Sequence, residues 1–175
     1  MLEVVGEVSV QAQRSGRQAG TEPPFAVLVG VGNEFSTDDA LGLLVAREIR
    51  RRFPLALKVV EASGEGASLI DAWKGADEVI IVDAMAGPEP GEIHRIDVSA
   101  ARIPKELSLF SSHAFGVVDA IEMARQLDQL PPVTILYGIE GEAFEPGVGL
   151  SDSVVKSLPK LLAMIEQDLR RSEPN

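Results

Sequence analysis

Short apolar runs alternate with amphipathic stretches along most of the chain. The continuous run 26–31 and the segment 78–83, in which four apolar residues precede an aspartate, are typical of strands buried in a parallel sheet. Two further strands are predicted at 57–61 and 133–139. Segment 91–98 alternates apolar and polar positions only over its second half, which is typical of a half-exposed edge strand.

Helical periodicity appears between these strands and after the last one. Four helices are predicted, at 38–52, 68–74, 114–127 and 152–170. The apolar face of the first helix is expected to contain Leu41, Leu44, Val45 and Ile49. Pro159 is expected to break the last helix by starting a new helical segment, because proline has no backbone N–H to donate.

Strands that alternate with helices indicate an α/β fold. We expect a three-layer α/β/α sandwich of the phosphorylase/hydrolase-like type, with a mostly parallel, twisted five-stranded sheet and an antiparallel edge strand. Residues 25–171 form its single domain. Residues 1–24 are predicted to be a flexible N-terminal arm with only a weak strand pattern at 2–10, and residues 172–175 a disordered tail.

Composition excludes several classes of function. The net charge of −11 argues against nucleic acid or an anionic membrane surface as a partner. The absence of cysteine removes disulfides, thiolate zinc sites and cysteine nucleophiles. No apolar run has the length of a membrane span, and residues 1–20 lack the apolar core of a secretory signal. A cytoplasmic protein is the simplest interpretation.

Three polar residues are predicted to lie where ligands bind in such folds, beyond the carboxyl ends of the strands. Asp39 is in the loop after the first strand, Asp83 ends the third strand, and His113 opens a helix. Each also has a structural interpretation. Asp39 and Ser36 have capping-box spacing, Asp83 can begin a turn, and a lone histidine is usually a packed or capping side chain. His94 is left out because its predicted edge strand is expected to lie far from the carboxyl ends.

The glycines of the first loop do not indicate a dinucleotide site. Phe35 stands where the third glycine of the fingerprint would be, and Asp38 and Asp39 would repel a pyrophosphate. Two carboxylates and one imidazole would instead suit a divalent ion such as nickel or zinc, with positions left open for another ligand. Spacing along the chain leaves open whether Asp39, Asp83 and His113 converge.

Five segments resemble, in order, the motifs of the hydrogenase maturation proteases. The loop Gly30-Val-Gly-Asn-Glu-Phe-Ser-Thr-Asp-Asp-Ala-Leu-Gly42 is similar to the family's first motif, and Val79-Ile-Ile-Val-Asp-Ala84 to its second. Ser112-His-Ala-Phe-Gly116 resembles its histidine motif. Segments 138–141 and 147–151 match its C-terminal part. The resemblance runs from about residue 26 to 170 and does not include the arm.

The resemblance implies an endopeptidase that removes a short C-terminal extension from the large-subunit precursor of a nickel–iron hydrogenase after nickel insertion. It places nickel contacts on Asp39, Asp83 and His113, and peptide hydrolysis on Asp39 and Asp83. Some family members have Glu in place of Asp39. The implied substrate-binding and loop residues are Gly32, Asn33, Asp38, Gly64 and Gly66.

Nickel would then be a recognition element supplied by the precursor, and no permanently bound cofactor is expected. One carboxylate would activate water while the other, protonated, assists the leaving amine, with the assignment left open. The sequence leaves two alternatives to an endopeptidase. One is a non-catalytic chaperone or adaptor that recognises nickel, and the other is a small-molecule hydrolase on a similar sheet.

Overall fold

The computed structural model describes residues 25–54, 57–104 and 116–171. The predicted arm and tail, the first residues of the predicted helix 114–127, and His113 lie outside these ranges. The described strands are β1 (Ala26–Val31), β2 (Lys58–Ala62), β3 (Glu78–Ala86), β4 (Ile93–Asp97) and β5 (Val133–Gly141). The helices are α1 (Leu41–Arg52), which a 3-10 turn at Thr37–Ala40 precedes, α2 (Gly66–Trp73), α3 (Val117–Gln126) and α4 (Asp152–Arg171).

The sheet has the order β2-β1-β3-β5-β4. The first four strands are parallel, and β4 pairs antiparallel with β5. This confirms the predicted α/β fold with its antiparallel edge strand. All six residues of β1 are buried, because β1 has a strand on each side and a helical layer over each face. Within the described residues, no helix is both long and apolar enough to cross a membrane.

A separate apolar core lies on each face of the sheet. The side chains of α2 and α3 pack on one face around the fully buried Trp73. Those of α1 and α4 pack on the other face around Tyr137. Of the residues expected on the apolar face of α1, Leu41, Val45 and Ile49 are buried as predicted, whereas Leu44 is exposed.

The predicted break in the last helix is wrong. α4 continues through Pro159 as one 20-residue helix. Pro159 and Val155, the residue whose carbonyl would have accepted a hydrogen bond from a non-proline residue at 159, are both exposed. Water can therefore satisfy that carbonyl, which reduces the destabilising effect of the proline.

The charged side of β4 is exposed at Arg95 and Asp97, as expected for an edge strand, and Arg95 also binds α4. Arg95 donates two hydrogen bonds to the buried Asp168 of α4, at 2.8 Å from Nε and 3.0 Å from Nη2. The Tyr137 hydroxyl donates to the same carboxylate at 2.6 Å. Ile93 is on the same side as Arg95 but packs against the core that α4 helps to form, which accounts for an apolar residue at this position.

Candidate active site

Glycines bring the start of α1 into backbone contact with the carboxyl ends of β1 and β3. A Cβ atom on Gly42 would lie 2.1 Å from the Val31 carbonyl oxygen and 2.5 Å from that of Val82. A Cβ on Gly32 would lie 1.8 Å from the Asp39 carbonyl oxygen. Side chains at these positions would push the helix away from the sheet. The glycine pattern therefore serves close helix–sheet packing and places Asp39 beside the end of β3.

Asp38 holds the loop before α1 to the loop that follows β5. Its fully buried carboxylate accepts hydrogen bonds from the backbone N–H groups of Glu142 (2.8 Å), Ala143 (3.0 Å) and Ser151 (2.7 Å) and from the Ser151 hydroxyl (2.8 Å). Burial alone would raise the pKa of Asp38, but these hydrogen bonds together lower it below its ordinary value. Asp38 therefore supports the site from within the protein.

The residues just before Asp38 strengthen this connection. The hydroxyl of Ser36 donates to the Phe144 carbonyl at 2.7 Å, and that of Thr37 donates to the Ala143 carbonyl at 2.7 Å. Ser36 makes no side-chain capping hydrogen bond, so the capping-box interpretation of Ser36 is wrong. Thr37 has a φ of +34°, a backbone conformation that these contacts must stabilise.

Asp83 has the opposite environment. It points from β3 into the α3 face of the sheet, and its Oδ1 is buried with no hydrogen-bond partner among the described residues. Burial raises the pKa of Asp83 to about 8, the negative charge of Asp39 adds to this effect, and the Ala84 N–H opposes it. The two carboxyl groups are therefore close enough to interact, and Asp83 is mostly protonated at neutral pH.

Asp83 opens into an apolar pocket between the sheet and the start of α3. The pocket is shallow and partly open, and the empty space of about 390 Å³ around it includes solvent outside its mouth. Its other lining residues are Met85, Ile96, Ile103, Val117, Val118, Leu136 and Gly138. Asp83 is the one titratable residue among the described residues that line this pocket, so an apolar segment bound here would lie beside this carboxyl group.

The sequence-based placement of His94 far from the carboxyl ends is wrong. Because β4 is antiparallel, its first residues lie at the carboxyl end of the parallel strands, and His94 pairs with Gly138, which pairs with Asp83 on its other side. His94 Nε2 is hydrogen-bonded to Oε1 of the buried Glu140 at 2.8 Å. The sequence could have indicated this position. An antiparallel edge strand begins at the carboxyl end of the parallel strands, and His94 is near the beginning of the predicted strand.

The remaining predicted loop residues flank the end of β1. The exposed Asn33 accepts a hydrogen bond from the Phe35 N–H at 3.0 Å through its side-chain oxygen, which shapes its own turn. Gly64 has a φ of +87°, and Gly66 begins α2. The Gly32 N–H donates to the Ala62 carbonyl at 2.9 Å and joins this loop to the first one.

The structure thus brings together two of the three predicted site residues. Asp39 and Asp83 meet where β1 ends, whereas His113 lies outside the described residues. The predicted end of the third strand at Asp83 is wrong, because β3 continues to Ala86 through its pairing with β5. Within the described part of the chain, no three metal-binding side chains form a cluster. The described site is a pair of neighbouring carboxyl groups, of which Asp83 has a raised pKa and lines an apolar pocket. Such a pair is suited to acid–base chemistry on a polar bond.

Comparison with known proteins identifies the family. A family model described as hydrogenase maturation protease matches residues 43–168, which is more than half of the chain. The chain belongs to the hydrogenase maturation protease family. The match includes Asp83 and begins just after the loop that contains Asp39. An endopeptidase role in hydrogenase maturation follows from this membership.

Individual relatives agree with the family assignment. The chain is 24% identical over 149 residues to the hydrogenase 2 maturation protease of Escherichia coli, covering 83% of this chain and 91% of that protein. It is 29% identical over 140 residues to protein FrxA of Pyrococcus furiosus, covering 78% and 98%. The structure of the E. coli hydrogenase maturating endopeptidase HybD superposes with a TM-score of 0.71 at 25% identity, covering 85% and 93%.

Proposed function

We propose that this hydrogenase maturation protease removes the C-terminal extension of a nickel–iron hydrogenase large-subunit precursor after nickel insertion. In this proposal Asp39, Asp83 and His113 contact the nickel that the precursor already holds. The observation that carries the proposal is that Asp39 lies near Asp83, whose buried carboxyl group lines an apolar pocket. That arrangement offers oxygen ligands for a metal and a surface along which a peptide can lie.

The donor set supports recognition of nickel bound to the precursor rather than permanent binding of nickel by the protease. Two carboxylates and one imidazole suit a borderline divalent ion, but without a thiolate they form a weak and open site. The protease therefore recognises nickel while the precursor retains it. In the free protein the raised pKa of Asp83 leaves a proton on this carboxyl group, which limits the negative charge of the pair and keeps one carboxyl group able to donate.

The same two carboxyl groups are placed to serve hydrolysis. Nickel contact would hold the adjacent peptide segment in place. The scissile bond is then already positioned for hydrolysis, which lowers the entropic cost of the reaction. One carboxylate then takes a proton from the attacking water, and a protonated carboxyl group gives a proton to the leaving amine. An apolar segment of the precursor that fills the pocket beside Asp83 would displace water from that side of the scissile bond.

A cleavage assay with purified precursor tests the proposal. Wild-type protease should shorten nickel-loaded precursor by the mass of one C-terminal extension, whereas Asp39→Asn and Asp83→Asn should leave it intact. Asp71→Asn is a matched control, because Asp71 is an exposed residue of α2 away from the site. Normal processing by both site variants would overturn the carboxylate assignment. Precursor that is bound but never shortened by the wild type would indicate a non-catalytic adaptor.

A further inference from the structure

Two large apolar side chains are exposed at the rim of the carboxyl edge. Phe35 is 69% exposed and Val148 is 83% exposed, the two highest values among the large apolar residues that the structure describes. They lie on neighbouring loops that form a parallel bridge between Ser36 and Gly147. The Gly147 N–H donates to the Phe35 carbonyl at 2.9 Å, so the backbone segments that carry the two side chains lie side by side.

This surface is preorganised rather than loose. The loops that present Phe35 and Val148 are held together by the four hydrogen bonds to Asp38. The Thr37 N–H also donates to the Gly147 carbonyl at 3.2 Å. A rigid surface loses little conformational entropy on binding, which favours its use in recognition. Phe35 is four residues from Asp39, so a partner bound here is close to the candidate active site.

Acidic side chains surround the apolar pair. Glu34, Glu142 and Glu145 are exposed on the same two loops. Glu34 is paired with Arg47 at 3.2 Å, and the whole chain carries a net charge of −11. An apolar centre with a negative rim is complementary to a protein surface that has an apolar patch bordered by lysine and arginine.

We propose that Phe35 and Val148 form a docking surface for the folded body of the substrate protein, apart from the segment that is cut. The identity of the partner rests on the function proposed above, whereas the surface itself rests on exposure, rigidity and charge. Two apolar side chains bury too little area for a stable complex, so the contact is expected to be transient. Its loss should therefore raise KM and leave kcat nearly unchanged.

Kinetics on purified nickel-loaded precursor test the docking surface. The double variant Phe35→Ser/Val148→Ser should raise KM about tenfold or more and change kcat less than about twofold. Val133→Ser is the matched control, because Val133 is 42% exposed but lies at the amino end of β5. Phe35→Leu keeps an apolar side chain and should retain most of the affinity. Added salt should also raise KM if the acidic rim contributes.

Direct binding separates this proposal from the proposed function. Affinity for the precursor is measured in an Asp83→Asn background, with and without the double substitution, and melting temperatures confirm that each variant is folded. If the folded double variant had the same Kd and KM as its parent, the docking proposal would be wrong. The same conclusion would follow if Val133→Ser lost as much affinity for the precursor as the double variant. Failure of the wild type to cut the precursor would overturn the proposed function alone, since the binding comparison still decides the docking surface.

Discussion

Asp38 and Asp83 are two carboxyl groups at the same edge of one sheet, and their surroundings shift their pKa values in opposite directions. Asp38 accepts four hydrogen bonds, which lower its pKa. Asp83 has an oxygen without a hydrogen-bond partner among the described residues and an acidic neighbour in Asp39, and its pKa is raised to about 8. Burial raises the pKa of both groups. At Asp38 the hydrogen bonds outweigh this effect, whereas at Asp83 the charge of Asp39 adds to it and the Ala84 N–H opposes it.

The comparison separates structural support from chemistry. A carboxylate surrounded by donors contributes stability and is unavailable to a ligand. A carboxyl group with few donors and a nearby like charge destabilises the fold in its charged form. Such a group can exchange a proton or bind a metal ion. Asp38 therefore holds the two loops together, and the different environment of Asp83, next to Asp39, is the reason we propose these two residues for the reaction.

The largest expected effect is on activity and comes from Asp83→Asn. Processing of nickel-loaded precursor should nearly stop, because asparagine cannot exchange a proton and is a poor metal ligand. The free energy of unfolding at pH 7 should fall by no more than about 1 kcal/mol, because the change removes a group that the fold accommodates poorly when charged. Single-turnover cleavage and urea unfolding measure the two quantities. A strongly destabilised variant would mean that Asp83 is a structural residue.

The reverse pattern is expected for Asp38→Ala. The substitution leaves three backbone N–H groups without their acceptor, so the free energy of unfolding should fall by about 2–4 kcal/mol. Ser151→Ala removes only the hydroxyl bond and should lower it by about 1 kcal/mol. Urea unfolding of both variants tests this ranking. Equal stability of Asp38→Ala and wild type would contradict the structural role.

The pH dependence of stability gives a smaller and finer test. A carboxyl group whose pKa is raised on folding binds more protons in the native state, so stability falls as pH rises from about 4 to about 8. The melting temperature of wild type should therefore fall relative to that of Asp83→Asn between pH 5 and pH 8. Asp38 has the opposite sign, because its lowered pKa gives stability that is lost as pH falls towards its folded pKa. A wild-type curve parallel to that of Asp83→Asn would contradict the raised pKa.

Much of the fold was predictable because its signals are local. The apolar runs of β1 and β3 and the alternation of strands with helices are visible in the sequence and led to the correct architecture. The break at Pro159 was wrong because the tolerance of a proline depends on the exposure of a carbonyl four residues earlier. The position of His94 was misjudged because it follows from an antiparallel pairing with β5.

The site was only partly predictable for a related reason. Asp39 and Asp83 were recognised from their places after β1 and at the predicted end of β3, and the structure brings them together. The supporting role of Asp38 depends on partners at 142, 143 and 151, more than 100 residues away. Adjacent aspartates look equivalent in the sequence, and only the distant donors distinguish Asp38 from Asp39.

The central claim is that the protease recognises nickel held by its precursor, and a cleavage assay on two forms of precursor tests it most directly. Protease stripped with a chelator, then freed of it, should cut nickel-loaded precursor and leave nickel-free precursor intact. His113→Ala should weaken this discrimination or abolish cleavage. His94→Ala is the matched control, because that imidazole is hydrogen-bonded to Glu140, and it should keep the discrimination. Efficient cutting of nickel-free precursor by the stripped wild type would contradict the account.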